Sequence, residues 1–173
     1  LHLADDAGLT FEKLFLSKLD QYLNDDIPVQ HLIGHSYFFG HKFKVNQDVL
    51  IPRSETEQLV EHVLYYYDQY FNDEKLEVLD LGTGSGCIGL TLAVEEQNLH
   101  VTISDISAEA LSVATENKIN LNANAHIIQS DLFERINQNF DMIISNPPYI
   151  PDDEIVQDIV TKEPSVALYG GKL

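Results

Sequence analysis

The segment Val78-Leu79-Asp80-Leu81-Gly82-Thr83-Gly84-Ser85-Gly86-Cys87-Ile88-Gly89 constrains the fold of this chain more than any other. A short apolar run passes directly into a glycine-rich turn, and the turn opens a helix. The same rhythm then repeats. The pattern predicts strands at Leu76 to Leu81, Val101 to Ser104, His126 to Gln129 and Phe140 to Ser145, with helices at Gly86 to Glu95 and Ser107 to Asn120. Ser107 is placed to cap the second helix, with Ala110, Leu111 and Ala114 inward. Strands alternating with helices imply an α/β fold, a parallel sheet covered on both faces.

Upstream, Leu9, Phe11, Leu14, Leu16, Leu19 and Leu23 recur at helical steps, so residues 1 to about 25 read as helical, starting near Thr10. Ser36-Tyr37-Phe38-Phe39 and Lys42-Phe43-Lys44-Val45 suggest a hairpin within 36–51, turning at Gly40-His41 and ended by Pro52. Ser54 with Glu57 three residues on reads as a capping box for the next helix. Leu59, Val60, Val63 and Leu64 supply its apolar face, and Tyr65, Tyr66, Tyr67 and Tyr70 are read mostly as packing residues at its end.

The glycine turn is the first segment that carries chemistry. Glycines allow positive φ and close approach of a ligand, and the helix behind them presents free N–H groups. Asp105 ends the second strand, where a carboxylate can accept hydrogen bonds from a ribose. Together these are a nucleoside-cofactor signal. Gly84, Gly86 and Gly89 also satisfy the dinucleotide pattern. Asp80 favours S-adenosylmethionine instead, because an acid there suits a ligand with a cationic ammonium and repels a pyrophosphate. The bland reading is a tight turn with no ligand.

The second segment is Ile143-Ile144-Ser145-Asn146-Pro147-Pro148-Tyr149-Ile150. Two prolines fix φ and remove two N–H donors, which leaves the Pro147 carbonyl in a stiff frame. Asn146 adds a side-chain carbonyl acceptor. Two convergent acceptors suit a planar –NH₂ group and orient its nitrogen. Tyr149 can pack on a flat amide or base. The alternative is a proline turn after a core strand. In a sheet of order 3-2-1-4 the first and fourth strands are neighbours, so Gly82 to Gly86 and Asn146 to Tyr149 would share one rim. Asp131 and Leu132, after the third strand, are candidates for contacting an adenine; Asp131 is equally readable as an ordinary turn residue.

Charge narrows the partners. Ten basic residues against 28 acidic ones give a net charge of -18. There is no basic stripe of the kind that displaces counterions from nucleic acid, so direct nucleic-acid binding is not expected. An acidic surface can attract a basic protein partner or serve solubility alone. The single Cys87 excludes an internal disulfide and is read as a packing residue. No run is long enough to span a bilayer, and residues 1 to 6 lack the pattern of a secretion signal. A cytoplasmic protein without membrane association is expected. The seven histidines are dispersed, with no Cys/His set, and no metal site is expected.

The combination of Asp80 to Gly86 with Asn146-Pro147-Pro148-Tyr149-Ile150 resembles class I methyltransferases that act on exocyclic or amide nitrogen. Pro28-Val29-Gln30-His31-Leu32-Ile33-Gly34, Phe39-Gly40, Val49 to Glu57, and Glu163-Pro164-Ser165-Val166-Ala167-Leu168 with Gly170-Gly171 resemble the HemK/PrmC family, the protein-(glutamine-N5) methyltransferases of peptide chain release factors. The resemblance implies a Rossmann-like, doubly wound class I sheet of strand order 3-2-1-4, preceded by a partial helical N-terminal domain and a β-hairpin linker. It implies three parts: 1–30 as the remnant of a helical substrate-binding domain, 31–52 as the linker, and 53–173 as the methyltransferase domain, cut short at its C-terminal end. It implies S-adenosylmethionine as cofactor, held by Asp80, Gly82, Thr83, Gly84, Ser85, Gly86, Asp105, Asp131, Leu132 and Asn146. It also implies transfer to the glutamine of a release factor's G-G-Q loop, positioned by Asn146, Pro147, Pro148 and Tyr149. Leu132 stands where the family often has an aromatic residue. Two other readings stay open: an N6-adenine nucleic-acid methyltransferase, which needs the same –NH₂ chemistry, and a non-catalytic nucleoside-binding module.

Overall fold

The computed structural model describes residues 11–71, 73–154 and 159–172. Helix α1 (Phe11–Asn24) comes first, followed by the single turn α2 (Val29–Ile33). Leu9 and Thr10, part of the expected first helix, lie outside the described residues. No residue of α1 is buried; Phe11, Phe15 and Leu23 are all more than half exposed.

Gly34 ends α2 at φ 76 and releases the chain into a hairpin, β1 (His35–Phe38) and β2 (His41–Lys44). The hairpin is shorter than expected and turns one residue earlier, at Phe39-Gly40, where both residues have positive φ. That conformation matches the strand twist of a two-residue turn. The alternation of β1 and β2 puts Phe38 and Phe43 on one face; their rings meet edge to face at 6.1 Å, and both are buried in the main core. The hairpin is therefore docked on the α/β domain.

Helix α3 (Ser54–Tyr70) begins at Ser54 rather than after it, and the expected capping box does not form. Arg53 occupies the cap position without a side-chain bond, and Glu57 reaches out of the helix to accept from the Phe39 N–H at 2.9 Å. The tertiary contact outcompetes the local one because the hairpin turn leaves that amide without a strand partner. Of the four tyrosines only Tyr67 is packed, at 1% exposure, with its hydroxyl donating to the Glu74 carbonyl. Tyr65, Tyr66 and Tyr70 are more than half exposed; along the helix surface Tyr66 stacks on Tyr70 and meets Tyr65 edge to face.

The α/β part follows as β3 (Leu76–Leu81), α4 (Cys87–Glu95), β4 (Leu99–Asp105), α5 (Ala108–Leu121), β5 (Ala125–Gln129) and β6 (Met142–Ser145). These four strands form one parallel sheet in the order β5-β4-β3-β6. β6 starts at Met142, so Phe140 lies outside it. β3 and α4 are buried almost throughout, which is why their residues read as an apolar run without alternation. Ser107 caps α5 by accepting from the Ala110 N–H at 3.0 Å. The last described elements are β7 (Ile150–Pro151), a single 3-10 turn at Val160–Lys162, α6 (Ser165–Leu168) and β8 (Tyr169–Gly171), with β7 and β8 paired. Among the described residues, no helix is long and apolar enough to cross a membrane.

Candidate active site

Two neighbouring parallel strands end together. Leu81 of β3 is in register with Ser145 of β6, and the Ser145 hydroxyl donates to the Leu81 carbonyl at 2.7 Å. The next residue on one strand is Gly82 and on the other Asn146. Sheet pairing alone thus brings the glycine loop and the Asn-Pro-Pro-Tyr turn to one rim, at the carboxyl ends where open α/β sheets bind ligands.

The loop is braced on every side. The Gly82 and Thr83 amides both donate to the Ser104 carbonyl at 2.9 Å. Asp105 receives the Gly84 N–H at 2.8 Å on one oxygen and the Ser107 N–H at 3.0 Å on the other. Gly86 has φ 84, and a Cβ there would meet Leu90 Cδ1 at 2.6 Å, so this position needs glycine on both counts. Behind the loop, the buried Asn117 of α5 accepts from the Lys44 N–H at 2.6 Å. It also donates to the carbonyls of Lys44 at 3.0 Å and Ser85 at 2.9 Å. One side chain ties hairpin, α5 and glycine loop together.

A cavity of about 350 Å³ opens at this rim. Gly82, Thr83, Gly84, Ser85, Asp105, Asp131, Leu132, Asn146, Pro147 and Pro148 all line it. Three of the sequence candidates do not. Gly86 lies just behind, as the cap of α4. Tyr149, 81% exposed, lines a second cavity that shares Asn146 with the first. Asp80 is fully buried beneath the loop. Its Oδ2 accepts from the Thr83 hydroxyl at 2.5 Å and from the Gly89 N–H at 2.9 Å, while its Oδ1 has no partner. Burial raises its pKa to about 6, against the lowering effect of those two bonds. Asp80 therefore holds the loop from below.

Leu132 takes a positive φ of 44 and is 63% exposed at the cavity wall. Non-glycine residues in that region carry backbone strain, which concentrates at ligand sites. The Asn146 amide donates from Nδ2 to the Thr56 hydroxyl at 3.5 Å, leaving its carbonyl oxygen free to accept. Cys87 is buried and its thiol is pushed up to about 12, first by desolvation and then by the charge of Asp80; it is no nucleophile.

Residues 57–173 match the methyltransferase small domain family. The chain belongs to that family. The matched stretch begins within α3 and takes in all four strands of the parallel sheet. The chain is 46% identical over 154 residues to the release factor glutamine methyltransferase of Bacillus anthracis, covering 86% of this chain and 54% of that protein. It is 47% identical over 154 residues to the release factor glutamine methyltransferase of Bacillus subtilis, with 85% and 54% covered. The chain thus spans about half the length of these curated relatives. A SAM-dependent methyltransferase from Agrobacterium tumefaciens superposes with a TM-score of 0.53 at 23% identity, covering 66% of this chain and 39% of that one. A tRNA (uracil-54, C5)-methyltransferase from Pyrococcus abyssi gives 0.54 at 21%, covering 66% and 27%. Both likenesses are to the Rossmann-like fold.

Sequence reasoning missed part of the candidate site. Thr56, Arg53 and Ala167 each line both cavities, yet stand far from the two motifs in sequence. Only their place in the stretches 49–57 and 163–168 could have pointed to them. His31 and His35 are four residues apart, the spacing of a helical metal pair, but α2 ends at Ile33 and His35 opens β1, so they do not share a helical face.

Proposed function

We propose that this chain transfers a methyl group from S-adenosylmethionine to the side-chain nitrogen of a glutamine in a peptide chain release factor. The observation that supports the reading is the junction of Leu81 with Ser145, which brings the glycine loop and the Asn146-Pro147-Pro148-Tyr149 turn side by side. The identity to release factor glutamine methyltransferases supports this substrate over an adenine. So does the net charge of -18, which opposes a polyanion.

The first cavity fits the cofactor by its donor set. Asp105 offers carboxylate oxygens for a ribose, Asp131 an acceptor and Leu132 an apolar edge for an adenine, and Asp80 a negative charge below the loop for an ammonium. Bound S-adenosylmethionine would supply an electrophilic methyl carbon: as the acceptor nitrogen bonded to it the methyl–sulfur bond would break, S-adenosylhomocysteine would leave, and the nitrogen would give up one proton to water. Asn146 Oδ1 and the Pro147 carbonyl each receive one N–H of the acceptor amide and fix the nitrogen's direction. Thr56 fixes which end of the Asn146 amide faces the acceptor. Tyr149 covers the amide plane from the second cavity. Helices α1 and α2 belong to a substrate-gripping part, the hairpin of β1 and β2 links it to the sheet, and the protein works in the cytoplasm.

The test is methyl transfer from labelled S-adenosylmethionine to a purified release factor, with a Gln-to-Ala change in its G-G-Q loop as control. Labelling that disappears with the glutamine supports the reading. Labelling of DNA or RNA with the release factor inert overturns it. Asn146→Ala is expected to lower kcat by on the order of 100- to 1000-fold with cofactor binding retained; equal loss of cofactor binding would make Asn146 a cofactor residue instead.

A further inference from the structure

The chain returns to the catalytic turn after leaving it, and it is fastened at two points. The first is Glu163, which is 5% exposed. Its Oε2 accepts from the Ile51 N–H at 2.8 Å, and its Oε1 accepts from Arg53 Nη2, contacts that span 112 and 110 residues of sequence. The second is Gly170, against which Pro148 packs so closely that an added Cβ would lie 2.6 Å from the Pro148 carbonyl oxygen. Pairing of Ile150 with Tyr169, and the Asp152 N–H donating to the Gly171 carbonyl at 3.1 Å, complete that end.

Between the fastenings runs a strap of residues 164–170. Ala167 reaches both cavities, and Leu168 lines the second beside Leu50, Leu59, Asn146 and Tyr149. A carboxylate this buried is costly unless it is paired and hydrogen-bonded. Here it is both, and its partners are the residues that lead into the helix carrying Thr56. The strap contributes Val166 and Ala167 to the first cavity and Ala167 and Leu168 to the second; the first is walled far more extensively, by residues at the carboxyl ends of β3, β4, β5 and β6, whereas the rest of the second cavity's wall comes from segments 50–59, 146–150 and 160.

We propose that Glu163 is a positioning residue for the acceptor. By clasping Arg53 and Ile51 it holds Ala167 and Leu168 as the wall against which the acceptor side chain lies while Asn146 orients its nitrogen. This rests on reading the second cavity as the acceptor's entrance. A one-ångström displacement of such a wall costs catalysis about 100-fold without touching the reacting atoms.

The experiment uses the full-length protein with Glu163→Gln, Glu163→Ala and Gly170→Ala. Steady-state kinetics on the acceptor that the wild type methylates is paired with calorimetric cofactor binding and with hydrogen exchange of the Ile51 and strap amides. Glu163→Ala is expected to lower kcat/KM for the acceptor by about 100-fold, with cofactor Kd held within roughly threefold, the split that marks lost positioning. Glu163→Gln keeps an acceptor for the Ile51 N–H and should recover part of the loss. Gly170→Ala should reproduce it from the other end. Exchange should speed up at Ile51 and through the strap while β3 and β4 stay protected. Unchanged acceptor kinetics in folded Glu163→Ala, or a cofactor Kd that weakens in step with kcat/KM, overturns the proposal. Should Glu163→Ala fail to fold, Glu163→Gln and Gly170→Ala decide it on the same criteria. A wild type that methylates only nucleic acid refutes the release-factor reading and leaves the clasp to be judged on that acceptor. A wild type inert on both leaves exchange to decide: strap amides no faster in Glu163→Gln overturn the clasp.

Discussion

Replacing Asp80 with asparagine should make this protein more stable and a worse cofactor binder. Asp80 is wholly buried, and burial lifts its pKa from 3.8 to about 6. The folded state therefore holds the proton more tightly than the unfolded chain. That stabilising effect is complete below pH 3.8 and is lost as pH rises through about 6. At about 1.4 kcal/mol per pH unit, a folded chain at pH 7.5 carries a handicap of about 3 kcal/mol relative to a neutral group at the same place. Asparagine is that neutral group. Its carbonyl can receive the Thr83 hydroxyl and the Gly89 N–H, as Oδ2 does now. Urea unfolding of wild type and Asp80→Asn at pH 7.5 and pH 5 measures the difference. The variant should be ahead by up to about 3 kcal/mol at pH 7.5, a midpoint shift of about 1 M urea. At pH 5 the lead should shrink by about 1.4 kcal/mol, because the wild-type carboxyl is then mostly protonated. A lead that does not change with pH, or a variant less stable at pH 7.5, refutes the reasoning. The cofactor side follows from the same charge: wild-type affinity for S-adenosylmethionine should rise from pH 5 to 7.5, and the variant's should stay flat.

Two further outcomes can be read directly from burial and bonding. Asn117→Ala removes three hydrogen bonds and leaves the Lys44 amide and the Lys44 and Ser85 carbonyls without it; a loss of about 3 kcal/mol, seen as a fall of roughly 10 °C in Tm by circular dichroism, is expected, and a fall under about 2 °C would mean those groups find other partners. Cys87, buried with its thiol pushed up to about 12, should not react with a disulfide reagent at pH 8 in the folded protein and should react stoichiometrically in guanidinium; modification of the native protein at the free-thiol rate would contradict its packing.

The parts of the site legible from sequence are those whose geometry is fixed by neighbours in the chain. A strand, a positive-φ glycine turn and a helix cap lie within twelve residues at Val78 to Gly89, so their register needs no tertiary information. Asn146 could be placed opposite because parallel pairing of β3 with β6 translates sequence position into spatial position. The errors fell where tertiary contacts compete with local ones. Glu57 abandons the capping box for the Phe39 amide. Three of the four tyrosines face outward because α3 turns Val60, Val63 and Tyr67 into the core, with Leu59 and Leu64 packed at its edge. Asp80 is a different case: β3 is central, with β4 and β6 on its flanks, and Asp80 lies fully buried beneath the loop and does not line the cavity.

The contacts that sequence could not supply share one property: each joins segments with no periodicity of their own. Glu163 lies between a 3-10 turn and a four-residue helix, and Arg53 lies in an extended cap. Neither position carries a pattern that predicts burial, and a lone glutamate in a loop is ordinarily solvated. What buries it is the demand of the Ile51 amide, which no strand satisfies, together with a guanidinium close enough to offset the charge. Removing the carboxylate would leave that amide and that cation to find other partners beside the second cavity, whose lining includes Arg53. The clasp and the Asp80 carboxylate are thus opposite uses of a buried acid. Glu163 is paired with a cation from its own chain and contributes order. Among the described residues no cation pairs with Asp80, and its raised pKa predicts a weaker fold at neutral pH, a cost that a cationic ligand above the loop would offset.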